Sequence, residues 1–389
     1  MMNASTTPQQ WAEATRYAVT LRHQIHQLPE LGWQEHQTAA LIRRRLDELH
    51  IVWRPCAQTG TVARLDGHGP APHVALRADM DALPIVETSG VPWQSQREGV
   101  MHACGHDGHT ATLLATAQWL SARRSDLLGP VTLLFQPAEE GGHGAKHMID
   151  DGALQGVEQI FGFHNWPALP FGQAVCPDGA VMSGNAAFSI RVLGVGGHAS
   201  QPELCRDPVL AAAAITLALQ QIVSRCMVPQ APSVVSVTQI LARSGPTTIP
   251  GEVQMGGSIR ASSAAQRQEI QSLISQITQH TAQAYGVEAR VEHEMRYGAT
   301  VNHPEAAKRM RGALRDELGE AWQAQAPTPI MASEDFSYYC QHIPGAFALI
   351  GAGSSEHSPP CHATNYDFDD RLVNVMGRVF ARLAGIPIS

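Results

Sequence analysis

The sequence lacks the features that would assign it to several specialised classes of protein. Charged residues make up only 16% and the net charge is −8, so the basic surface needed for non-specific nucleic-acid binding is missing. No uninterrupted apolar run approaches the roughly 20 residues of a membrane helix. The polar residues 1–10 also lack the apolar core of a secretory signal. We therefore expect a protein that binds neither nucleic acid nor a membrane.

The cysteine pattern argues against a disulfide scaffold and against a dithiol redox site. The seven cysteines are an odd number, they are widely scattered, and none forms a C-x-x-C pair. A chain of 389 residues is long enough for two domains that bury their own cores without cross-links. These observations predict a reduced, cytoplasmic protein of two domains.

Polar side chains follow three short apolar runs that we predict to be buried strands, at 74–76, 131–135 and 159–163. Charged residues at 77–81 follow the first strand, Glu139 and Glu140 follow the second, and His164 follows the third. Predicted helices at 110–123 and 145–154 alternate with these strands, which indicates an α/β fold with a mainly parallel sheet. Because the carboxyl ends of parallel strands share one edge, we expect these polar groups to cluster.

The stretch 101–109 contains one cysteine and three histidines just before a predicted helix. Cys104 and His106 are two residues apart, and on a helix such side chains point in different directions. If both bind one metal, they must lie on the turn before the helix at 110–123. The alternative is a turn with a core cysteine and no metal. An isolated C-x-H pair more often has this structural role than a metal-binding role.

A second domain interrupts the first in the sequence. From about residue 183 to 295 the predicted elements follow a β-α-β-β-α-β order, which is typical of a ferredoxin-like α+β sandwich. A helix at 305–318, a strand at 346–351 and a helix at 371–383 are predicted to follow. We expect a catalytic domain at 1–182 and 296–389 and an inserted domain at 183–295.

Five candidate metal ligands stand out when the polar groups are collected: Cys104, His106, Glu140, His164 and His362. Five ligands exceed what one tetrahedral zinc ion takes while it keeps an open position, whereas two metals with a bridging ligand would use them all. Glu139, which is not one of these five ligands, would act as the general base for amide hydrolysis. His198, in a Gly-rich turn, is a candidate donor to the tetrahedral oxygen, although such a histidine is also an ordinary turn residue.

Several motifs, in this order along the chain, resemble the amidohydrolase branch of the aminoacylase and carboxypeptidase metallopeptidase family. They lie at 26–32, 77–84, 101–109, 136–140, 164–167, 196–199, 333–337 and 362–368. Within that family the chain is most similar to hippurate hydrolases, N-acyl-amino-acid amidohydrolases and indoleacetyl-amino-acid hydrolases.

The resemblance implies roles for individual residues. The five candidate ligands occupy the family's metal positions, with Cys104 as the bridge, and Glu139 occupies the position of the general base. The inserted domain is implied to be a lid that mediates dimerisation, and His198 is implied to reach the site of the neighbouring subunit. Arg260 is implied to bind the substrate carboxylate, and Thr247 replaces an asparagine that relatives usually carry.

We therefore expect an enzyme with two divalent metal ions, zinc or manganese, with cobalt or nickel as further options. It would hydrolyse the amide of N-acyl or N-aroyl amino acids and release a carboxylic acid and an amino acid. A dipeptidase or carboxypeptidase-like activity and a non-catalytic metal-binding protein remain as alternatives. The identity of the acyl group and of the amino acid depends on pocket shape, which the sequence leaves open.

Overall fold

A computed structural model describes residues 7–353 and 358–388 of the chain. Its described residues divide into two compact units. Unit 1 lies within Met1–Val181, Val301–Pro327 and Asp335–Ser389, and unit 2 comprises Met182–Thr300 and Thr328–Glu334. Residues 328–334 therefore pack with unit 2, whereas the sequence analysis assigned all of 296–389 to the first domain.

The helices and strands are numbered in chain order. The helices are α1 (Thr7–Gln27), α2 (His36–Glu48), α3 (His106–Ser121), α4 (Gly144–Asp150), α5 (Pro208–Leu219), α6 (Ala264–Ala284), α7 (Pro304–Leu318), α8 (Ser337–His342) and α9 (Arg371–Leu383). The strands are β1 (Val52–Cys56), β2 (Gly60–Leu65), β3 (Val74–Asp79), β4 (Val131–Gln136), β5 (Gln159–Pro170), β6 (Ala174–Val175), β7 (Gly179–Met182), β8 (Gly184–Leu193), β9 (Gly197–His198), β10 (Ser233–Leu241), β11 (Thr248–Ile249), β12 (Glu252–Ala261), β13 (Glu288–Met295), β14 (Thr300–Asn302) and β15 (Gly345–Gly353).

Unit 1 is built on a seven-stranded sheet of order β1-β2-β4-β3-β5-β15-β6. The four central strands β4, β3, β5 and β15 are parallel to one another. The flanking strands β1, β2 and β6 pair antiparallel. The predicted α/β class with a mainly parallel central sheet is confirmed, while the antiparallel edges were not predicted.

The central strands of this sheet are covered on both faces. All six residues of β3 and all six of β4 are buried, as expected for parallel strands between helical layers. On one face Val131, Leu133 and Phe135 of β4 join a core to which α1, α3, α7 and α9 contribute. The chain thus places the carboxyl ends of β3, β4 and β5 side by side.

Two predicted strands end too early. Arg77 and Asp79 lie within β3, where they are buried, rather than after it. The strand predicted at 159–163 continues to Pro170, so His164 lies inside β5. Both errors arise because buried polar residues interrupt an apolar pattern without ending the strand.

Unit 2 contains a four-stranded antiparallel sheet of order β10-β12-β8-β13. Along β8 the side chains of Phe188, Ile190 and Val192 are buried while their neighbours are more exposed. This alternation turns one face of the sheet towards a core that α5 and α6 complete.

The segment Pro208–Cys226, which includes α5, meets the length and composition criteria of a membrane-spanning helix. The apolar runs of the sequence predict no membrane-spanning segment. Ala211, Ile215 and Leu219 on this segment are buried in the core of unit 2. They occupy the positions expected of a helix that covers one face of a sheet.

Candidate metal centre

Cys104 and His106 lie at the junction between a loop and α3. His106 is the first residue of α3, so the helix begins four residues earlier than predicted and His106 does not lie on the preceding turn. Gly105 between them has φ 94°, and a Cβ atom there would lie 2.3 Å from Asn165 Oδ1. Only glycine fits this left-handed, crowded position, and it lets the two side chains face one region despite their spacing.

The structure brings all five predicted ligands and Glu139 into three overlapping groups. In each group the donor atoms lie within 4.8 Å of one another. The groups are Cys104–His106–His164, Cys104–Glu140–His362 and His106–Glu139–Glu140. Cys104, His106 and Glu140 each take part in two of these three groups, so the groups share donors, as expected of ligands around two neighbouring metal positions.

The two buried histidines are oriented by backbone carbonyl groups. His164 Nδ1 donates to the carbonyl of Asn165 at 2.7 Å, so the lone pair of Nε2 faces Cys104 Sγ at 3.3 Å. His106 Nδ1 donates to the carbonyl of Asp81 at 3.0 Å. Bonds of this kind fix the tautomer of metal-binding histidines and leave Nε2 for the metal.

Asp81 links two of the ligands. Its Oδ1 lies 3.2 Å from His106 Nδ1, and its Oδ2 accepts a hydrogen bond from the backbone N–H of Glu140 at 2.9 Å. Asp81 is buried at the end of β3. It therefore ties the beginning of α3 to the loop that follows β4.

Positive φ angles occur at His362 and at the residue before Glu139. Glu139 is buried and follows Ala138, whose φ is 53°, and its Oε1 accepts from Asp335 N at 3.3 Å. His362 has φ 70°. Its ring is half exposed, and the Nε2 atom lies 3.0 Å from Glu140 Oε1. Positive φ angles at residues with a Cβ are uncommon and concentrate at functional sites.

The electrostatics of the cluster favour a bound cation. The neighbouring Cys361 thiol, burial and the charge of Glu140 raise the pKa of Cys104 well above its usual value. Burial lowers the pKa of His106, but Asp79 and Asp81 outweigh it and raise this pKa well above the ordinary value. Burial and the nearby His109 lower the pKa of His164. The thiol and the carboxylates thus lie in an acid-rich pocket that a divalent ion would neutralise.

An unsatisfied nitrogen gives a direct test of whether these residues fit a metal. His106 Nε2 is fully buried and makes no hydrogen bond to any residue within 7–353 and 358–388, and its ion-pair contact Asp79 Oδ2 is 3.7 Å away, beyond hydrogen-bonding distance. Leaving a buried polar atom unpaired is costly, and such atoms call for an explanation. Since Nε2 lies among thiol and carboxylate donors, a metal ligand role explains it, and the donor set fits two divalent ions.

Comparison with known families identifies the chain. The model of peptidase family M20/M25/M40 matches residues 75–385. The chain belongs to this family. The resemblance to hippurate hydrolases and indoleacetyl-amino-acid hydrolases is confirmed as well.

Individual members of the peptidase family M20/M25/M40 align over most of the chain. It is 41% identical over 360 residues to IAA-amino acid hydrolase ILR1-like 2 of Arabidopsis thaliana, covering 89% of this chain and 81% of that protein. It is 37% identical over 367 residues to the hippurate hydrolase of Campylobacter jejuni, covering 94% of each. A Bacillus subtilis crystal structure described as a dinuclear metal binding peptidase of this family superposes with a TM-score of 0.84 at 32% identity, covering 96% and 98% of the two chains.

The other three predicted site residues of this family member lie in unit 2. His198 is exposed in β9, its Nδ1 is 2.7 Å from Ser200 Oγ, and it pairs in register with Thr248 of β11. Thr247 is exposed, and its carbonyl accepts from Ala199 N at 2.9 Å. His198 and Thr247 are therefore neighbours.

Arg260 lies on β12 in the sheet of unit 2. Its Nη1 donates to Ser333 Oγ at 2.8 Å, and partial burial together with Arg296 lowers its pKa below the ordinary value. The guanidinium remains charged at neutral pH because its ordinary pKa is above 12. Its roles and those of His198 and Thr247 stay predictions.

Sequence reasoning missed the buried ion network that anchors Glu139. Asp335, whose N–H bonds Glu139, accepts from Arg77 Nη2 at 3.0 Å and from Gln136 Nε2 at 2.8 Å. Arg77 also pairs with Asp79 at 2.6 Å. The sequence contained an indication of this network, because an arginine and an aspartate lie within an otherwise apolar strand. Charged side chains are rarely buried in a strand without partners of opposite charge.

Proposed function

We propose that this protein is an amidohydrolase that cleaves the amide bond of N-acyl or N-aroyl amino acids with the help of two divalent metal ions. The products are a carboxylic acid and a free amino acid. One observation carries the proposal: five donor side chains and a sixth, buried carboxylate converge in a member of a family whose relatives include a hippurate hydrolase.

The metal assignment follows from the donor set. Cys104 would be the ligand shared by the two ions, and the terminal ligands would be His106, Glu140, His164 and His362. When bound, the two ions polarise the substrate carbonyl and make a water molecule more acidic. Thiolate with imidazole favours zinc, while the carboxylate and imidazoles would also suit manganese, cobalt or nickel.

The other residues bind the substrate and move protons. Glu139 takes the proton from the attacking water and delivers it to the leaving nitrogen. His198 donates a hydrogen bond to the oxygen of the tetrahedral intermediate. Arg260 holds the carboxylate of the amino-acid part, to which its two-pronged guanidinium is suited, and Thr247 contacts the substrate with its hydroxyl.

We further propose that the two domains of the chain have different roles. Unit 1, close to the predicted bounds 1–182 and 296–389, is the catalytic domain. Unit 2, close to the predicted bounds 183–295, is a ferredoxin-like lid that forms a homodimer and brings His198 to the neighbouring site. All seven cysteines are free thiols, which supports a cytoplasmic location.

A substrate panel tests the proposed function. The metal content of the purified protein is measured, and the protein is then supplied with Zn, Mn, Co or Ni and given N-benzoylglycine, N-acetyl amino acids and dipeptides. We expect turnover of the N-acylated substrates that chelation abolishes and added metal restores. Faster turnover of dipeptides, whose amino group is free, would contradict the assigned substrate class. Absence of turnover with every metal would contradict an enzymatic role.

The variant Arg260→Ala tests the proposed carboxylate contact. We expect KM to rise roughly 10-fold for N-acyl amino acids, because a hydrogen bond to a charged group is lost. Substrates whose carboxylate is blocked as an amide should be unaffected. Arg296→Ala is the matched control, since Arg296 is a nearby exposed arginine paired with Glu294. An equal rise in KM for blocked and free substrates would refute the role of Arg260.

A further inference from the structure

The backbone immediately before Glu139 adopts an unfavourable conformation. Ala138 is fully buried with φ 53°, a region that residues with a Cβ seldom adopt. The carbonyl of Ala138 accepts from Gly144 N at 3.1 Å, so the loop after β4 folds back on itself. Such a conformation persists only where its surroundings determine it.

A buried carboxylate far away in the sequence holds the amide of Ala138. Glu35 has no exposed surface, and its Oε1 accepts from Ala138 N at 2.9 Å. Its Oε2 accepts from Thr59 Oγ1 at 2.7 Å. Glu35 stands at the start of α2 but makes no side-chain cap for that helix. Its side chain is therefore committed to Ala138 and Thr59.

The amide on the other side of Glu139 is held in the same way. Glu140 N donates to Asp81 Oδ2 at 2.9 Å. Buried carboxylates thus hold the N–H of the residue before Glu139 and the N–H of the residue after it. Because the Cα–Cβ direction of a residue follows from its backbone, these two anchors constrain the direction in which the Glu139 side chain leaves the backbone.

We propose that Glu35 is a positioning residue for the general base: it holds the left-handed peptide at Ala138 and thereby directs the carboxylate of Glu139. The inference rests on the proposed function, in which Glu139 moves the proton. Among the described residues, the side chain of Glu35 bonds Ala138 and Thr59 and none of the five ligands.

The electrostatic environment indicates which replacement preserves the contact. Burial, and then the charge of Asp81, raise the pKa of Glu35 to about 7. One carboxyl oxygen of Glu35 accepts from Ala138 N, and the other meets the hydroxyl of Thr59. Glutamine reproduces this pattern with its oxygen and its amide group, whereas methionine has similar length and no acceptor.

Three variants separate positioning from stability. Glu35→Gln keeps the bond to Ala138, and Glu35→Met removes it. Glu30→Met is the matched control, since Glu30 is also buried in this segment but accepts from Gln37 N and Thr38 N, both at 2.9 Å, at the start of α2. Each variant is tested for metal content, thermal unfolding, kcat, KM and hydrogen exchange of the segment that contains Ala138.

We expect Glu35→Met to lose roughly 10-fold or more in kcat relative to Glu35→Gln, because small displacements of a catalytic group are costly. The KM of Glu35→Met should change by less than about threefold, and the variant should keep two metals per chain. Its Ala138 amide hydrogen should exchange with solvent faster than in Glu35→Gln. Glu30→Met should lower the unfolding temperature but keep kcat within about threefold. If Glu35→Met does not fold, Glu35→Asp, which is too short to reach both partners, should show the same changes.

A double-mutant cycle gives the decisive comparison. In a Glu139→Ala background, Glu35→Met should change the residual kcat by less than about threefold, because the group that it positions is gone. If Glu35→Met lowers kcat by the same factor in the Glu139→Ala background as in the wild type, the proposal is overturned. An unchanged kcat in Glu35→Met would also overturn it, as would an equal loss of kcat in Glu30→Met. Absence of turnover in the wild-type protein would contradict the proposed function instead, and the exchange of the Ala138 amide would still report whether Glu35 holds the loop.

Discussion

Glu139→Ala should bind two metal ions per chain and lose at least roughly 10²-fold in kcat, the lower range for removing a general acid-base group. The expectation follows from the geometry, since Glu139 lies in the ligand cluster with His106 and Glu140 but its Oε1 bonds the backbone of Asp335. Metal content is measured by elemental analysis, and kcat by release of the carboxylic acid from the substrate that the panel identifies.

The adjacent carboxylate provides the control for this experiment. Glu140→Ala should lower the metal content as well as kcat, because Glu140 is proposed as a ligand. The two variants differ by one position and remove the same functional group. Near-normal kcat in Glu139→Ala would contradict its role as the base. Loss of metal in Glu139→Ala as large as that in Glu140→Ala would show that Glu139 is a ligand instead.

The parts of the fold that follow simple periodic patterns could be predicted from the sequence. The amphipathic helix expected at 371–383 is α9, and the apolar run at 131–135 is β4, which extends one residue further. The convergence of Glu139, Glu140 and His164 also followed from one rule, that the ends of parallel strands share an edge. This rule does not cover Cys104, His106 and His362, which lie outside the strands.

The details of the site could not be predicted because buried polar residues break the patterns that sequence reasoning uses. Helix α3 was placed too late since its first turn contains His106, Asp107 and His109, all buried and polar. The partners Arg77 and Asp335 are 258 residues apart, and no local pattern links them. Neither the positive φ of Ala138 nor its bond to Glu35 has a local sequence signal, because both depend on tertiary contacts.

Cys104→Ala should lose metal and at least roughly 10²-fold in kcat, because even replacement of groups that only support a ligand costs 10- to 100-fold in affinity or activity. Cys104 belongs to two groups of potential ligands, as His106 and Glu140 do, and it is the proposed bridge, so its removal should lower the metal content from two ions per chain to one or fewer. Elemental analysis before and after dialysis measures this change.

Cys361→Ala is the matched control, since Cys361 is a second thiol beside the first. Its Sγ lies 4.0 Å from the carbonyl of Cys104 and 3.6 Å from Asn165 Nδ2. Among the described residues it belongs to none of the groups that could hold a metal. Cys361→Ala should therefore keep both metals and a kcat within about threefold of wild type. Equal metal loss in the two variants would mean that packing of these segments, rather than ligation by Cys104, holds the site together. Full metal content in Cys104→Ala would exclude Cys104 as the bridge, because a bridging ligand serves both ions and its loss must weaken both.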